Sequence, residues 1–453
     1  MNTSKKKILV VPGNTDLNRG DQALIWESIR LLEDIYTNLE VYLYESGASD
    51  KERELQKAQT KSKGFIFLTR ILLHPRVKAN INKKMSDEVK YSKLVYIKWG
   101  IIAFLDFIST MLLIIPNSFI NKLGRCFLTI EQKKSLDIFQ SLDAVIVKGG
   151  GFLHSYGKLH DPFVMYYFLF DLMLAHRHKV KVIILPNSIG PLKNRIARTL
   201  VKRVISKSVF ISVREDVSYQ FLKNVLNISS KKYPDLGFFL KSYETDLLPY
   251  LINKGFIKEK KNIAITLRPY RFDGFVNADR LYNSYLTEMS NFVSHQIDKG
   301  YDVTLMAHTL GPSAHEDDRL ALNEVYHFLS DKYKKSIIYL EDFELDCRQI
   351  QKLYSYYDLV IGTRFHSVIF ALNENTPSIA IAYGGNKSYG IMQDIGLPEY
   401  VIGIEKVTSF ELDLLVEKLE SEKAYYIDKV RRYQNLLEKN RIELINSIKI
   451  VVR

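Results

Sequence analysis

Tyr357-Asp358-Leu359-Val360-Ile361-Gly362-Thr363-Arg364-Phe365-His366-Ser367 runs a short β-branched apolar segment straight into a polar turn and then into a helical pattern. A buried strand that delivers polar residues at its carboxyl end is the working unit of open parallel sheets, where ligands bind in the crevice beyond the strand ends. Arg364 and His366 stand two residues apart, so in extended backbone both side chains project to one side. An arginine fixes an anion, and a histidine changes protonation state near neutral pH. Next to an arginine at a strand end, His366 reads better as a catalyst than as a satisfied structural group.

Outward from this stretch the same rhythm repeats. Strands are predicted at 262–267, 302–307, 336–340, 358–361, 378–382 and 400–404, and earlier at 8–11, 38–44, 143–147, 181–185 and 209–213. Strands alternating with helical segments predict α/β architecture with two doubly wound parallel sheets, divided into domains 1–243 and 244–453. The charged amphipathic stretch 410–448 predicts one or two closing helices. Residues 50–140 break the rhythm: no clear strand interrupts them, and basic and apolar pieces mix, which reads as an insertion. Its densest part, Trp99 to Ile115, follows Lys84, Lys90, Lys93 and Lys98. Strands on both sides of it must join one sheet, so a single membrane crossing is excluded. The segment 65–120, with Phe65 to Leu73 as a second point of touch, predicts peripheral contact with anionic lipid; the alternative is a core helix or an oligomer contact.

Composition sets the frame. The chain has 453 residues, 46% of them hydrophobic and 25% charged, enough for two cores. A formal charge of +13 implies an anionic partner. Cys126 and Cys347 have neither disulfide nor zinc spacing, and the four-residue apolar run before Pro12 is too short for a signal core, so a cytoplasmic location, peripheral on the inner face of the membrane where the insertion touches it, is expected. No metal or cofactor is expected, and basic residues spread without a nucleic-acid motif argue against DNA or RNA. No GxSxG elbow or HExxH helix is present, so hydrolysis is disfavoured.

The other strand-end loops are polar. Gly13 to Asp21 enters a helix and offers amide donors to an anion, without Walker lysine or dinucleotide glycine spacing. Lys148-Gly149-Gly150-Gly151-Phe152-Leu153-His154 lets a ligand approach the backbone closely and adds two charge-capable side chains. Ser188 is placed to bond a phosphate or sugar oxygen. Arg214 is suited to a carboxylate or phosphate, or else to a structural pair with Glu215 or Asp235. Tyr383-Gly384-Gly385-Asn386-Lys387 supplies another cation.

Taken in order, Asn18-x-Gly20-Asp21, Gly149-Gly150-Gly151, Ile189-Gly190-Pro191, Val213-Arg214-Glu215, Arg364-x-His366, Pro377 with its strand, and Lys387-x-x-Gly390 resemble the polysaccharide pyruvyltransferase family over about residues 8–400. The resemblance implies two Rossmann-like domains facing a cleft, similar to type B glycosyltransferases. It also implies phosphoenolpyruvate as donor and a saccharide hydroxyl pair, free or lipid-linked, as acceptor. A phosphate plus a carboxylate needs several cations; Arg214, Arg268, Arg364 and Lys387 qualify, with Ser188 and Gly362 beside them on the donor side. His366 is the expected general acid and Arg364 the stabiliser of developing charge. Asn18, Asp21, Gly149, Gly150 and His154 are expected to face the acceptor. A nucleotide-sugar glycosyltransferase shares this architecture and is the rival reading; a scaffold without turnover is a third.

Overall fold

The computed structural model describes residues 5–78, 92–384 and 387–452. Among these, two parallel sheets form. The first carries β1 (Lys6–Val11), β2 (Leu39–Tyr44), β3 (Ile66–Leu68), β4 (Ala144–Val147), β5 (Gly150–Ser155), β6 (Lys181–Leu192), β7 (Phe210–Val213) and β8 (Lys231–Lys232). Its order is β3-β2-β1-β4-β6-β7-β8, with β5 paired to the distal half of β6. The second carries β9 (Lys261–Thr266), β10 (Tyr301–Met306), β11 (Ile337–Leu340), β12 (Leu359–Gly362), β13 (Ser378–Ala382) and β14 (Val401–Gly403), in the order β11-β10-β9-β12-β13-β14.

Both sheets bury both faces, which is why their strands are continuous apolar runs. In β1, Ile8 and Val10 enter one core layer while Leu9 and Val11 enter the opposite layer, as strand periodicity requires. Strand order reverses between β1 and β4 in the first sheet and between β9 and β12 in the second. Loops leaving these strands therefore open at switch points, the places where such sheets hold ligands.

The insertion differs from its expectation. Ile66–Leu68 is a strand in register with Tyr42–Tyr44, and Leu68, Ile71 and Leu72 are buried. Phe65 to Leu73 is thus largely core and is withdrawn as a lipid contact. A helix at Lys93–Ile114 follows; Lys84 and Lys90 lie outside the described residues. It is the one described helix long and apolar enough to cross a membrane. Flanking strands β3 and β4 share a sheet, so its two ends stay on one side.

The closing stretch is two helices, Ser409–Ser421 and Lys423–Val452. The second begins on the second domain, where the Tyr426 hydroxyl bonds both backbone groups of Ser378, and ends on the first, where Ser447 meets Tyr233 and Lys231.

Candidate active site

The helix Arg19–Glu33 starts at Asn18, whose side-chain oxygen accepts from the Gly20 and Asp21 amides. That oxygen is an N-cap, so it is already engaged. Asp21 takes an ion pair from Lys148 at 2.6 Å, which joins the loops after β1 and β4 across the first switch point. Burial pushes the Asp21 carboxyl up, but Lys148 outweighs it and holds it below its ordinary value. Gly20 explains the rest of the motif. A Cβ there would stand 2.0 Å from His366 Nδ1 and 2.7 Å from His366 Cβ, so the first domain's helix and the catalytic candidate of the second touch where a side chain is missing.

His366 lies in the first turn of the helix Phe365–Asn373, and Arg364 is that helix's N-cap residue. The extended-backbone expectation for the pair therefore fails: helical winding turns residues two apart by about 200°, and the side chains diverge. Arg364 turns into the second domain and bonds Asp318 at 2.8 Å and Glu316 at 2.7 Å. Burial opposes ionisation of Glu316, yet Arg364 and Arg268 bring it to about 2; for Asp318 burial wins and its carboxyl rises to about 6. Arg268 approaches Glu316 at 3.3 Å and lies over the Tyr383 ring.

His366 turns to the first domain. Its Nε2 is 3.7 Å from Asp235 and 3.0 Å from Lys387 Nζ. Asp235 also receives Arg214 at 2.6 Å, caps Gly237 N–H, and stands 3.9 Å from Lys387. Burial alone would raise Asp235; Arg214, Lys387 and His366 instead hold it well below the carboxylate range. Burial, then proximity to Lys387, lowers His366 to about 4, and burial, then Arg214, lowers Lys387 to about 7. Their side chains keep 14% and 21% exposure, so the cluster is reachable.

The remaining expected residues sort clearly. Ser188 accepts from Arg214 and donates to Glu215, so both its functions are engaged. Arg214 makes the Asp235 pair that was its structural alternative, while its Nη2 lies 3.0 Å from where a Gly151 Cβ would be. The space beside Gly149 is filled by Leu24 and Pro186, beside Gly150 by Phe152, and beside Gly362 by Ser367 and Val368. These glycines serve packing. His154 bonds the Gly151 carbonyl and packs on Tyr156, which with Tyr270 flanks Gly384 across the cleft. Gly385 and Asn386 lie outside the described residues. Gly390 has a counterpart to Gly20: a Cβ there would meet Glu215 Cγ at 2.8 Å, so its absence seats the Lys387 helix against the first domain.

Asp235 and the Glu316–Asp318 pair were missed as site members. Asp235 follows the two-residue β8, too short for any periodic signal; Pro234-Asp235-Leu236-Gly237 is a turn signature that marks it in retrospect.

Two parallel-sheet domains whose switch-point loops meet across a cleft define the architecture of type B glycosyltransferases. Solved structures agree: the TcCGT1 glycosyltransferase with UDP aligns with 99% of this chain and 100% of its own at TM-score 0.56 and 11% identity. HepE of Anabaena, with UDP and glucose, covers 98% of each chain at 0.54 and 10%. A UDP-N-acetylglucosamine 2-epimerase described from Listeria monocytogenes covers 94% of this chain and 91% of that one, at 0.54 and 10%. These likenesses concern fold alone. The model of the polysaccharide pyruvyl transferase family matches residues 18–385, and the chain belongs to that family. The amylovoran biosynthesis protein AmsJ of Erwinia amylovora is 28% identical over 279 residues, 60% of this chain and 64% of the relative's length.

Proposed function

We propose that the protein transfers a pyruvyl group from phosphoenolpyruvate to two hydroxyls of a saccharide, forming a cyclic ketal during exopolysaccharide assembly at the inner face of the membrane. The observation that carries this reading is the convergence of Arg214, Lys387 and His366 around Asp235, between the domains. Family membership and the likeness to a protein of amylovoran biosynthesis support it.

Burial first, and the neighbouring cations second, depress His366 and Lys387, and the negative charge of Asp235 offsets this only in part. A donor bearing phosphate and carboxylate adds negative charge and raises both groups, so donor binding takes up a proton and loads His366 as the acid. His366 delivers this proton to the donor's methylene carbon while its double-bond electrons form the new C–H bond. One sugar hydroxyl adds to the adjacent electrophilic carbon and passes its proton to the now neutral His366. The second hydroxyl then replaces phosphate, whose C–O bond breaks with the electron pair leaving on phosphate, and its proton departs with that phosphate. Lys387 holds the anionic groups, and Arg214 behind it balances Asp235. Asp21, ionised beside Lys148, faces the acceptor.

Membrane attachment rests on the helix Lys93–Ile114. Leu94, Ile97, Ile101, Leu105 and Ile108 form one stripe at helical spacing and are 46–77% exposed. Phe119, Phe127 and Ile130 in the segment that follows are exposed as well, with Lys93 and Lys122 nearby in sequence.

The decisive assay supplies phosphoenolpyruvate or a nucleotide sugar with saccharide fractions of the host. Inorganic phosphate release with a pyruvate ketal seen by mass spectrometry is the expected result; nucleoside diphosphate release would overturn it.

A further inference from the structure

A cavity of about 1670 Å³ lies beside the insertion, and neither His366 nor Asp235 lines it. It exceeds the roughly 300–1,000 Å³ of ordinary small-molecule pockets. One wall is the inner face of the helix Lys93–Ile114, where Trp99, Ala103, Phe107 and Met111 recur every fourth residue; Phe163 and Tyr167 stand opposite. The helix is thus apolar on two faces, one lining the cavity and one the exposed stripe.

The rim is basic. Arg195 and Arg203, two turns apart on the helix Arg195–Ile205, line the cavity and have no carboxylate partner among the described residues. The other lining charges each have a partner: Arg70 pairs with Asp171, Glu52 with Arg76 and Glu45 with Lys57, while Arg271 and Lys158 share Asp273. The far end reaches His315, one residue from the Glu316 that pairs with Arg268 and Arg364 at the second switch point. The cavity therefore leads from the exposed apolar helix to the cleft.

We infer that this cavity binds the lipid end of the acceptor, a single-chain carrier lipid bearing a phosphate or diphosphate. The hydrocarbon lies between Trp99, Phe107 and Tyr167, and the phosphate is held by Arg195 and Arg203. Apolar walls alone would suit many ligands, but two unmatched guanidiniums beside them select an anionic head. The identity of the sugar beyond the phosphate rests on the pyruvyl-transfer reading; the lipid site does not.

Farnesyl diphosphate is the probe, titrated into the purified full chain without membranes or phosphoenolpyruvate. Saturable binding of one molecule per chain is expected, reported by Trp99 fluorescence and losing that signal in Trp99→Phe. Farnesol and inorganic pyrophosphate should each bind at least about tenfold more weakly. By calorimetry, Ala103→Phe should weaken farnesyl diphosphate and farnesol alike by about tenfold, because it fills the apolar wall. Arg195→Ser with Arg203→Ser, at the rim where folding is not at stake, should weaken only the diphosphate. No saturable binding, or binding indifferent to both sets of changes, overturns the inference, as does tighter binding of short-chain phosphatidylglycerol, which would make the occupant a bilayer lipid. Pyruvylation of a soluble saccharide without farnesyl diphosphate binding defeats the lipid site alone, whereas binding without pyruvyl transfer defeats the reaction alone.

Discussion

Arg364 and His366 are separated by one residue, and their surroundings are opposites. Around Arg364 the charges are matched: two carboxylates bond it directly, and its guanidinium is held well above its ordinary value after burial is overcome. Around His366 they are not. Lys387 stands 3.9 Å from Asp235, and both Lys387 and His366 lie below their ordinary values. A saturated ion network fixes a loop and has little left for a ligand; an undersupplied one is completed by an anion. The contrast assigns Arg364, and Arg214 with its 1% side-chain exposure and its Asp235 and Ser188 partners, to positioning, and leaves Lys387 and His366 as the groups proposed to meet an anion.

This contrast is open to breakage at four points. His366→Gln should lower kcat by about 10²–10⁴-fold, the usual worth of a general acid, while thermal unfolding stays at or above that of the parent chain. A variant with near-parental kcat would remove His366 from the chemistry. Arg364→Leu should do the reverse in kind, costing about 3–5 kcal/mol in chemical denaturation because Asp318 and Glu316 lose their buried partner. If it folds with full stability, the matched network is not structural. Gly20→Ala should cost about 100-fold in kcat by displacing His366, with phosphoenolpyruvate affinity less affected.

The smallest effect concerns pH. Lys387 near 7 when folded and about 10.5 when unfolded means the unfolded chain binds more protons across that interval, so stability rises with pH there; His366, near 4 when folded and about 6.5 unfolded, gives a second rise below it. Lys387→Met should flatten the upper rise and unfold at a higher temperature than the parent at pH 6, as followed by calorimetry. An unchanged slope would mean that Lys387 is not a depressed amine.

The alternation of β-branched runs made both sheets legible, because strands buried on both faces need continuous apolar sequence. The predicted strand at 378–382 coincides with β13, and the other predicted strands fall within a few residues of observed ones, except that β6 continues through 186–191, read from the sequence as a loop, to Leu192. The misses have causes. β3 and β8 are too short for periodicity, and β5 runs through the glycines Gly150 and Gly151 with a broken register against β6. Site loops were readable from their polar, glycine-rich composition. Contacts between the domains were not: nothing local in Asn18-x-Gly20-Asp21 reveals that Gly20 leaves room for a histidine 346 positions later (366 − 20). The Arg364–His366 geometry failed because the helix begins one residue earlier than an extended reading allows.

The helix Lys423–Val452 acts as a tie rod. One end is pinned at Ser378, the first residue of the strand that leads to Lys387, and the other at Tyr233, two residues before Asp235. Stretching thirty helical residues breaks backbone hydrogen bonds, whereas pivoting about the ends does not. Opening of the cleft is thereby channelled into rotation, and the span between the two anchorages, next to Lys387 on one side and Asp235 on the other, stays nearly constant.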